Sequence, residues 1–179
     1  MNNDKRSLMF IVVAFALVMA AGVILYANLS SRGGSEQDTE SYGKAKNFAM
    51  QDAEGTEVSL SDFDGKPVII NFWATWCPPC RQELPHFDKA VKENKEVSFI
   101  MLDVTDGERE TTFGVKKFMS ENGYSFDVHY DVSAEGAETY GVTSLPTTIG
   151  IDKKGNIVYK KIGALTEEEL EGIIETVGA

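Results

Sequence analysis

Apolar positions along the chain fall into short runs and stripes separated by turn residues. The strongest run is Val68-Ile-Ile-Asn-Phe-Trp73, a near-continuous block of β-prone residues of the length of a buried strand. Val97-Ser-Phe-Ile-Met-Leu102 is a second block of the same kind. Ahead of the first block, Phe48-Ala-Met50 and Glu57-Val-Ser-Leu60 flank Asp52-Ala-Glu-Gly55, which predicts a hairpin. Ser61 to Gly65 reads as a helical turn closed by glycine. A helix is expected from just after Cys77 to about Asn94, with Pro78 and Pro79 in its first turn and a kink at Pro85.

Further along, Glu110 to Met119 has helical spacing through Phe113, Lys116, Lys117 and Phe118, and Asn122-Gly123 supplies a left-handed stop. On this pattern Phe113 and Phe118 are assigned to the core. Phe126-Asp-Val-His-Tyr130 alternates and predicts a short strand, and Ser133 to Tyr140 a short helix ending at Gly141. Thr147–Ile151 and Asn156–Ile162 around Asp152-Lys-Lys-Gly155 form the clearest hairpin. Thr166-Glu-Glu-Glu169 is a capping box that opens a last helix, with Leu170, Ile173, Ile174 and Val177 on one face. Parallel strands joined by helices, closed by an antiparallel hairpin, predict an α/β fold with a mixed sheet and helices on both faces. No internal repeat interrupts this order.

One stretch belongs to no such core. Ser7 to Ser31 holds 25 residues without a charge, and about 20 apolar residues cross a bilayer. The apolar block is longer than a cleaved signal's and lacks a clear small-x-small cleavage site, which favours an uncleaved anchor. No cysteine stands directly after it, which excludes lipoprotein processing. Lys5 and Arg6 precede the block, and Glu36, Asp38 and Glu40 soon follow it, so the expected orientation has the N-terminus in the cytoplasm. The organisation expected is residues 1–6 cytoplasmic, 7–31 transmembrane, 32–43 a linker, and 44–179 one domain on the extracytoplasmic side. Beyond residue 32 there are 14 basic and 27 acidic residues, a formal charge of −13. Such a surface excludes nucleic acid as a partner and suits a soluble, tethered domain.

The chemistry lies at the end of the first strand. Trp76-Cys77-Pro-Pro-Cys80 contains the only two cysteines, and a strand that delivers C-x-x-C to a helix N-terminus is a redox arrangement. Unpaired N–H groups and the helix dipole stabilise an anion there, and such settings lower a thiol from about 8.5 to roughly 3.5–7.5. Cys77 is therefore the nucleophile that attacks a partner disulfide, and the more shielded Cys80 resolves the mixed disulfide. A purely stabilising disulfide would close too short a loop to contribute much. Zinc needs about four ligands, and His86 and His129 are the only histidines. Haem attachment needs a histidine where Arg81 stands. No metal or cofactor beyond the Cys77–Cys80 redox pair is expected. Trp73 is assigned to the core, Trp76 to the surface that meets a partner, and His86 to a solvated helix face.

With Ser144-Leu145-Pro146-Thr147 following some 66 residues later, the chain resembles thioredoxin-fold proteins. It is most similar to the membrane-anchored TlpA/ResA-like thiol-disulfide oxidoreductases, through Asn71-Phe-Trp-Ala-Thr-Trp-Cys-Pro-Pro-Cys80, Glu83 and Pro85, and a helix–strand insert over 107–130. The resemblance spans about Phe48 to Val177. It implies that Pro146 is a cis-proline facing the cysteines, and that Trp76, Pro78, Leu145 and Pro146 line a shallow groove for an extended partner segment. Thioredoxins carry a buried Asp where this chain has Asn71, so the acid that takes the Cys80 proton is assigned to Glu83. The resemblance further implies reduction of disulfides in exported proteins, such as apocytochrome c or spore-envelope proteins, with electrons from a membrane thiol transporter. The same residues could serve a disulfide-forming oxidant, and a thiol peroxidase or a binding module are more distant alternatives.

Overall fold

In a computed structural model, the described residues are 42–179 together with Leu17 and Met19. The anchor expected over 7–31 and the linker up to residue 41 otherwise lie outside them. Among the described residues no helix is long and apolar enough to cross a membrane. Contacts divide the chain after Thr39, and the second unit, Glu40–Ala179, holds the fold.

The element order is β1 (Ala49–Gln51), β2 (Glu57–Ser59), a 3-10 turn (Leu60–Phe63), β3 (Val68–Trp73), α1 (Pro78–Glu93), β4 (Ser98–Asp103), α2 (Thr112–Asn122), β5 (Val128–Tyr130), α3 (Glu135–Thr139), β6 (Thr147–Ile151), β7 (Ile157–Ile162) and α4 (Glu167–Gly178). Among the described residues the strands form one seven-stranded sheet, ordered β2-β1-β5-β4-β3-β6-β7. The β3-β4 and β4-β5 pairs are parallel and the β3-β6 and β6-β7 pairs antiparallel, the mixed sheet expected from the closing hairpin. The insert strand β5 adds to β4 and receives β1 of the opening hairpin on its other side.

All six residues of β3 are buried, which is why this strand shows an unbroken run and not an alternation. Its side chains still divide by a period of two. Ile69 and Trp73 pack with Leu84 and Phe87 of α1, Val115 of α2, and Leu170, Ile173 and Val177 of α4. Ile70 and Phe72 face the opposite side, with Phe48, Leu60, Ile100, Leu102 and Tyr140. Helices therefore cover both faces.

The helix ends follow the sequence signals. Thr166 accepts from the Glu169 N–H at 3.2 Å and Glu169 returns the bond to the Thr166 N–H at 2.9 Å, completing the capping box. Gly123 stops α2 in the left-handed region at φ 69°. Pro85 lies within α1, which runs on past it to Glu93.

One core assignment fails. Phe113 is 78 % exposed, whereas Val115 and Met119 are the buried residues of α2 and Phe118 is half-buried. Two residues along a helix turn about 200°, so a helix that buries Val115 and Met119 points Phe113 away from the sheet.

Candidate active site

Strand β3 ends at Trp73, and three residues, Ala74 to Trp76, carry the chain from the sheet to α1. Cys77 is the N-cap of that helix, and its sulfur accepts from the Cys80 N–H at 3.3 Å. A residue in this position faces the orphan N–H groups of the first turn, which favour a thiolate when the pair is reduced. Pro78 and Pro79 occupy the first helical positions, where no amide donor is missed. The cysteines are joined, with an S–S length of 2.08 Å. Cys77 is 3 % exposed and Cys80 fully buried, so the first sulfur is the one a partner can reach.

Glu83 lies one turn after Cys80 on the same side of α1 and has no exposed surface. One carboxylate oxygen accepts from the Asn71 amide at 2.8 Å, the other from the Leu165 N–H at 2.7 Å. Asn71 reaches it because Ile69, Asn71 and Trp73 share the sheet face under α1. Its amide also donates at 3.0 Å to the Thr148 hydroxyl, on the residue paired with it across β3-β6. Burial raises Glu83 from its ordinary 4.5 to about 7; the bonds from Leu165 and Asn71, and the charge of Lys161, hold it below what burial alone would give. An acid poised near neutrality one turn from Cys80 can exchange a proton in either direction.

The residues expected to meet a partner come to the same end of the sheet. Phe72 pairs with Thr147, so the preceding residue, Pro146, sits beside the segment that leaves β3 for the cysteines. The Leu145–Pro146 peptide bond is cis. Pro146 is buried and Leu145 half-buried, while Pro78 is exposed and Trp76 is 41 % exposed. Trp73 is fully buried. Of the two histidines, His86 is half-buried on α1, and His129 on β5 is half-buried with burial lowering its basicity.

Sequence reasoning missed a second polar group beside the cysteines. Glu110, read as a helix start, is 2 % exposed and precedes the helix. It accepts both the N–H and the hydroxyl of Thr75, each at 2.8 Å. Asp103, at the end of β4 and paired with Trp73, is fully buried and accepts from the Thr105 hydroxyl at 2.6 Å. Burial pushes its carboxyl well above the ordinary carboxylate range; the Thr105 bond opposes the rise and the neighbouring Glu110 carboxylate adds to it. The contact of residues 75 and 110 joins positions 35 apart, and no local pattern announces it.

A cysteine pair joined at a helix N-terminus, a cis-proline at the facing strand and a mixed sheet covered on both sides define a thioredoxin-fold thiol-disulfide oxidoreductase. Comparison with known proteins narrows the class. Residues 43–160 match the model of the AhpC/TSA family. The thiol-disulfide oxidoreductase ResA of Bacillus anthracis is 37 % identical over 178 residues, and that of Bacillus cereus 36 % over 177, each alignment covering 98 % of both chains. Among solved structures, StoA from Bacillus subtilis superposes with a TM-score of 0.63 at 29 % identity, covering 72 % of this chain and 96 % of that one. An exposed lipoprotein thioredoxin from Streptococcus pneumoniae gives 0.64 at 29 %, covering 73 % and 98 %. The chain belongs to the ResA-like thiol-disulfide oxidoreductases.

Proposed function

We propose that the protein is a membrane-tethered reductase of disulfides in exported proteins, working on the extracytoplasmic side and using no cofactor besides its own dithiol. The observation that carries the reading is the buried acid Glu83, poised at about 7 one turn from Cys80 on the same helix face. In this reading the Cys77 thiolate attacks one sulfur of a partner disulfide, forming a mixed disulfide and releasing the partner's first thiolate. Glu83 takes the Cys80 proton, and the Cys80 thiolate attacks Cys77. The Cys77–Cys80 bond forms and the second partner thiolate leaves, so two electrons pass to the partner. Trp76, Pro78, Leu145 and Pro146 line the groove in which the partner's extended segment lies.

The tether and its side of the membrane rest on the 25 uncharged residues Ser7 to Ser31 and their flanking charges. An anchored enzyme meets membrane partners at raised effective concentration. Apocytochrome c and spore-envelope proteins are the substrates suggested by the family, and a membrane thiol transporter is the donor. An oxidant would use the same residues with the opposite poise. A reduction potential well below about −200 mV fits the reductase, and one near about −120 mV would replace it with the oxidant. Cys80→Ser is expected to accumulate mixed disulfides with membrane-associated cysteine-pair proteins. An empty trap would count against exchange altogether.

A further inference from the structure

The loop after β4 folds back onto the residues that lead into Cys77. Asp106 shapes it, with Oδ1 accepting the N–H groups of Glu108 at 2.9 Å and Glu110 at 2.8 Å, while the Gly107 N–H donates to the Glu110 carbonyl at 3.0 Å. Two neighbouring side chains of this loop then engage two neighbouring residues of the active-site segment. Glu110 spends both carboxylate oxygens on Thr75, one on its N–H and one on its hydroxyl. Arg109 lays its guanidinium over the Trp76 ring, with Cζ 3.4 Å from the centroid. Disulfide exchange itself asks for no carboxylate here. A desolvated carboxylate that binds one residue twice restricts where that residue can be.

We propose that Glu110 is a positioning residue for disulfide exchange: by clamping Thr75 it fixes Trp76 and the Cys77 sulfur against the partner disulfide. The inference rests on the exchange reading above. Ala74 to Trp76 lie outside any helix or strand, and Cys77 is tied back locally by the bond from its N–H to the Ala74 carbonyl at 3.2 Å. The rigid reference for this segment is therefore Glu110, reaching across from the insert. Attack on a disulfide needs the incoming sulfur aligned with the bond it breaks, and a displacement of about 1 Å can cost about 100-fold in rate.

The test uses the full chain, reduced at Cys77 and Cys80, reacting with glutathione disulfide. Glu110→Ala is expected to lower the second-order rate about 10- to 100-fold. Glu110→Gln, which keeps an acceptor oxygen for the Thr75 N–H, is expected to recover most of the loss. Acrylamide quenching of tryptophan emission gives a readout that lost stability alone does not move. The chain has two tryptophans and Trp73 is fully buried, so quenching reports Trp76. It should rise in Glu110→Ala and stay near wild type in Glu110→Gln. If Glu110→Ala does not fold, Thr75→Val, which removes only the hydroxyl bond, is expected to give a smaller slowing of the same kind. A folded Glu110→Ala with unchanged rate and quenching overturns the proposal. So does Glu110→Gln as slow as Glu110→Ala, or, where Glu110→Ala cannot be made, an unaffected Thr75→Val. Absence of exchange by the wild type would instead strike at the exchange reading.

Discussion

Replacing Glu83 by Gln should stabilise the oxidised protein in alkaline solution and cost it about 1 kcal/mol in acid, where only the altered hydrogen bonds count. Burial raises this acid from 4.5 to about 7, so the folded state holds a proton that the unfolded chain has released. Below 4.5 both states are protonated and the group contributes nothing to the pH dependence. Between 4.5 and 7 stability falls as pH rises, and above about 7 the whole penalty is present. The interval is about 2.5 pH units, which at about 1.4 kcal/mol each makes roughly 3 kcal/mol. Gln never ionises and escapes that loss. Its oxygen can still accept from the Leu165 N–H, but its amide meets the Asn71 amide where the carboxylate accepted a bond. The Asn71 Oδ1 is buried without a partner and could turn to accept it, at the cost of bonds worth about 1 kcal/mol. The net gain is then about 2 kcal/mol, or roughly 6–10 °C in Tm for a domain of this size. Thermal unfolding of oxidised wild type and Glu83→Gln, followed by circular dichroism at pH 4.5 and pH 8.5, measures it. Equal differences at the two pH values, or a Gln variant less stable at pH 8.5, would refute the account of Glu83 as an acid lifted by burial.

Three further outcomes follow from neighbouring observations. Asp103→Asn removes a second acid raised mainly by burial, so the variant should gain in urea midpoint over wild type at pH 9 relative to pH 5, and a pH-independent difference would count against it. Gly150→Ala adds a methyl group that would lie 2.9 Å from Val177 Cγ1 and 3.1 Å from Tyr159 Cβ. That overpacking between β6 and α4 should cost about 1–3 kcal/mol in denaturant unfolding, and a neutral result would show that α4 shifts freely. Thr166→Ala breaks the capping box and should cost about 1 kcal/mol, while leaving the rate of glutathione disulfide exchange unchanged.

Much of this fold is legible because its signals are local. The β3 run announces a strand buried on both faces, Thr166 to Glu169 a helix start, and Asn122-Gly123 a helix stop, each confined to a few residues. The cysteines are legible for the same reason, since strand, motif and helix are contiguous. Phe113 was misread because apolar character was counted without fixing which stripe faces inward; the stripe through Val115 and Met119 excludes it. Glu110 and Asp103 were missed because their importance arises only when the turn after β4 meets the turn after β3. In sequence a charged residue just ahead of Thr111 and Thr112 resembles an ordinary first-turn acid. Parallel pairing of β3 with β4 is what brings the two turns to one edge of the sheet.

The two acidic groups beside the cysteines differ in a way that explains Asn71. Asp103 and Glu110 bring two carboxyl groups together, and the charge of one raises the proton affinity of the other. Glu83 meets an amide instead, with the Asn71 nitrogen 2.8 Å from its oxygen. A carboxyl group at position 71 would face Glu83 at that distance, and two such groups cannot both ionise near neutrality. They would titrate as a coupled pair, with one proton held tightly and the other released early. The amide lets Glu83 titrate alone, lowered by one donor from the sheet centre and one from the Leu165 N–H ahead of α4. For the proton exchange with Cys80 proposed above, a single titration near 7 serves better than a divided one. An uncharged donor at position 71 thus suits an acid that sits on the helix and titrates alone.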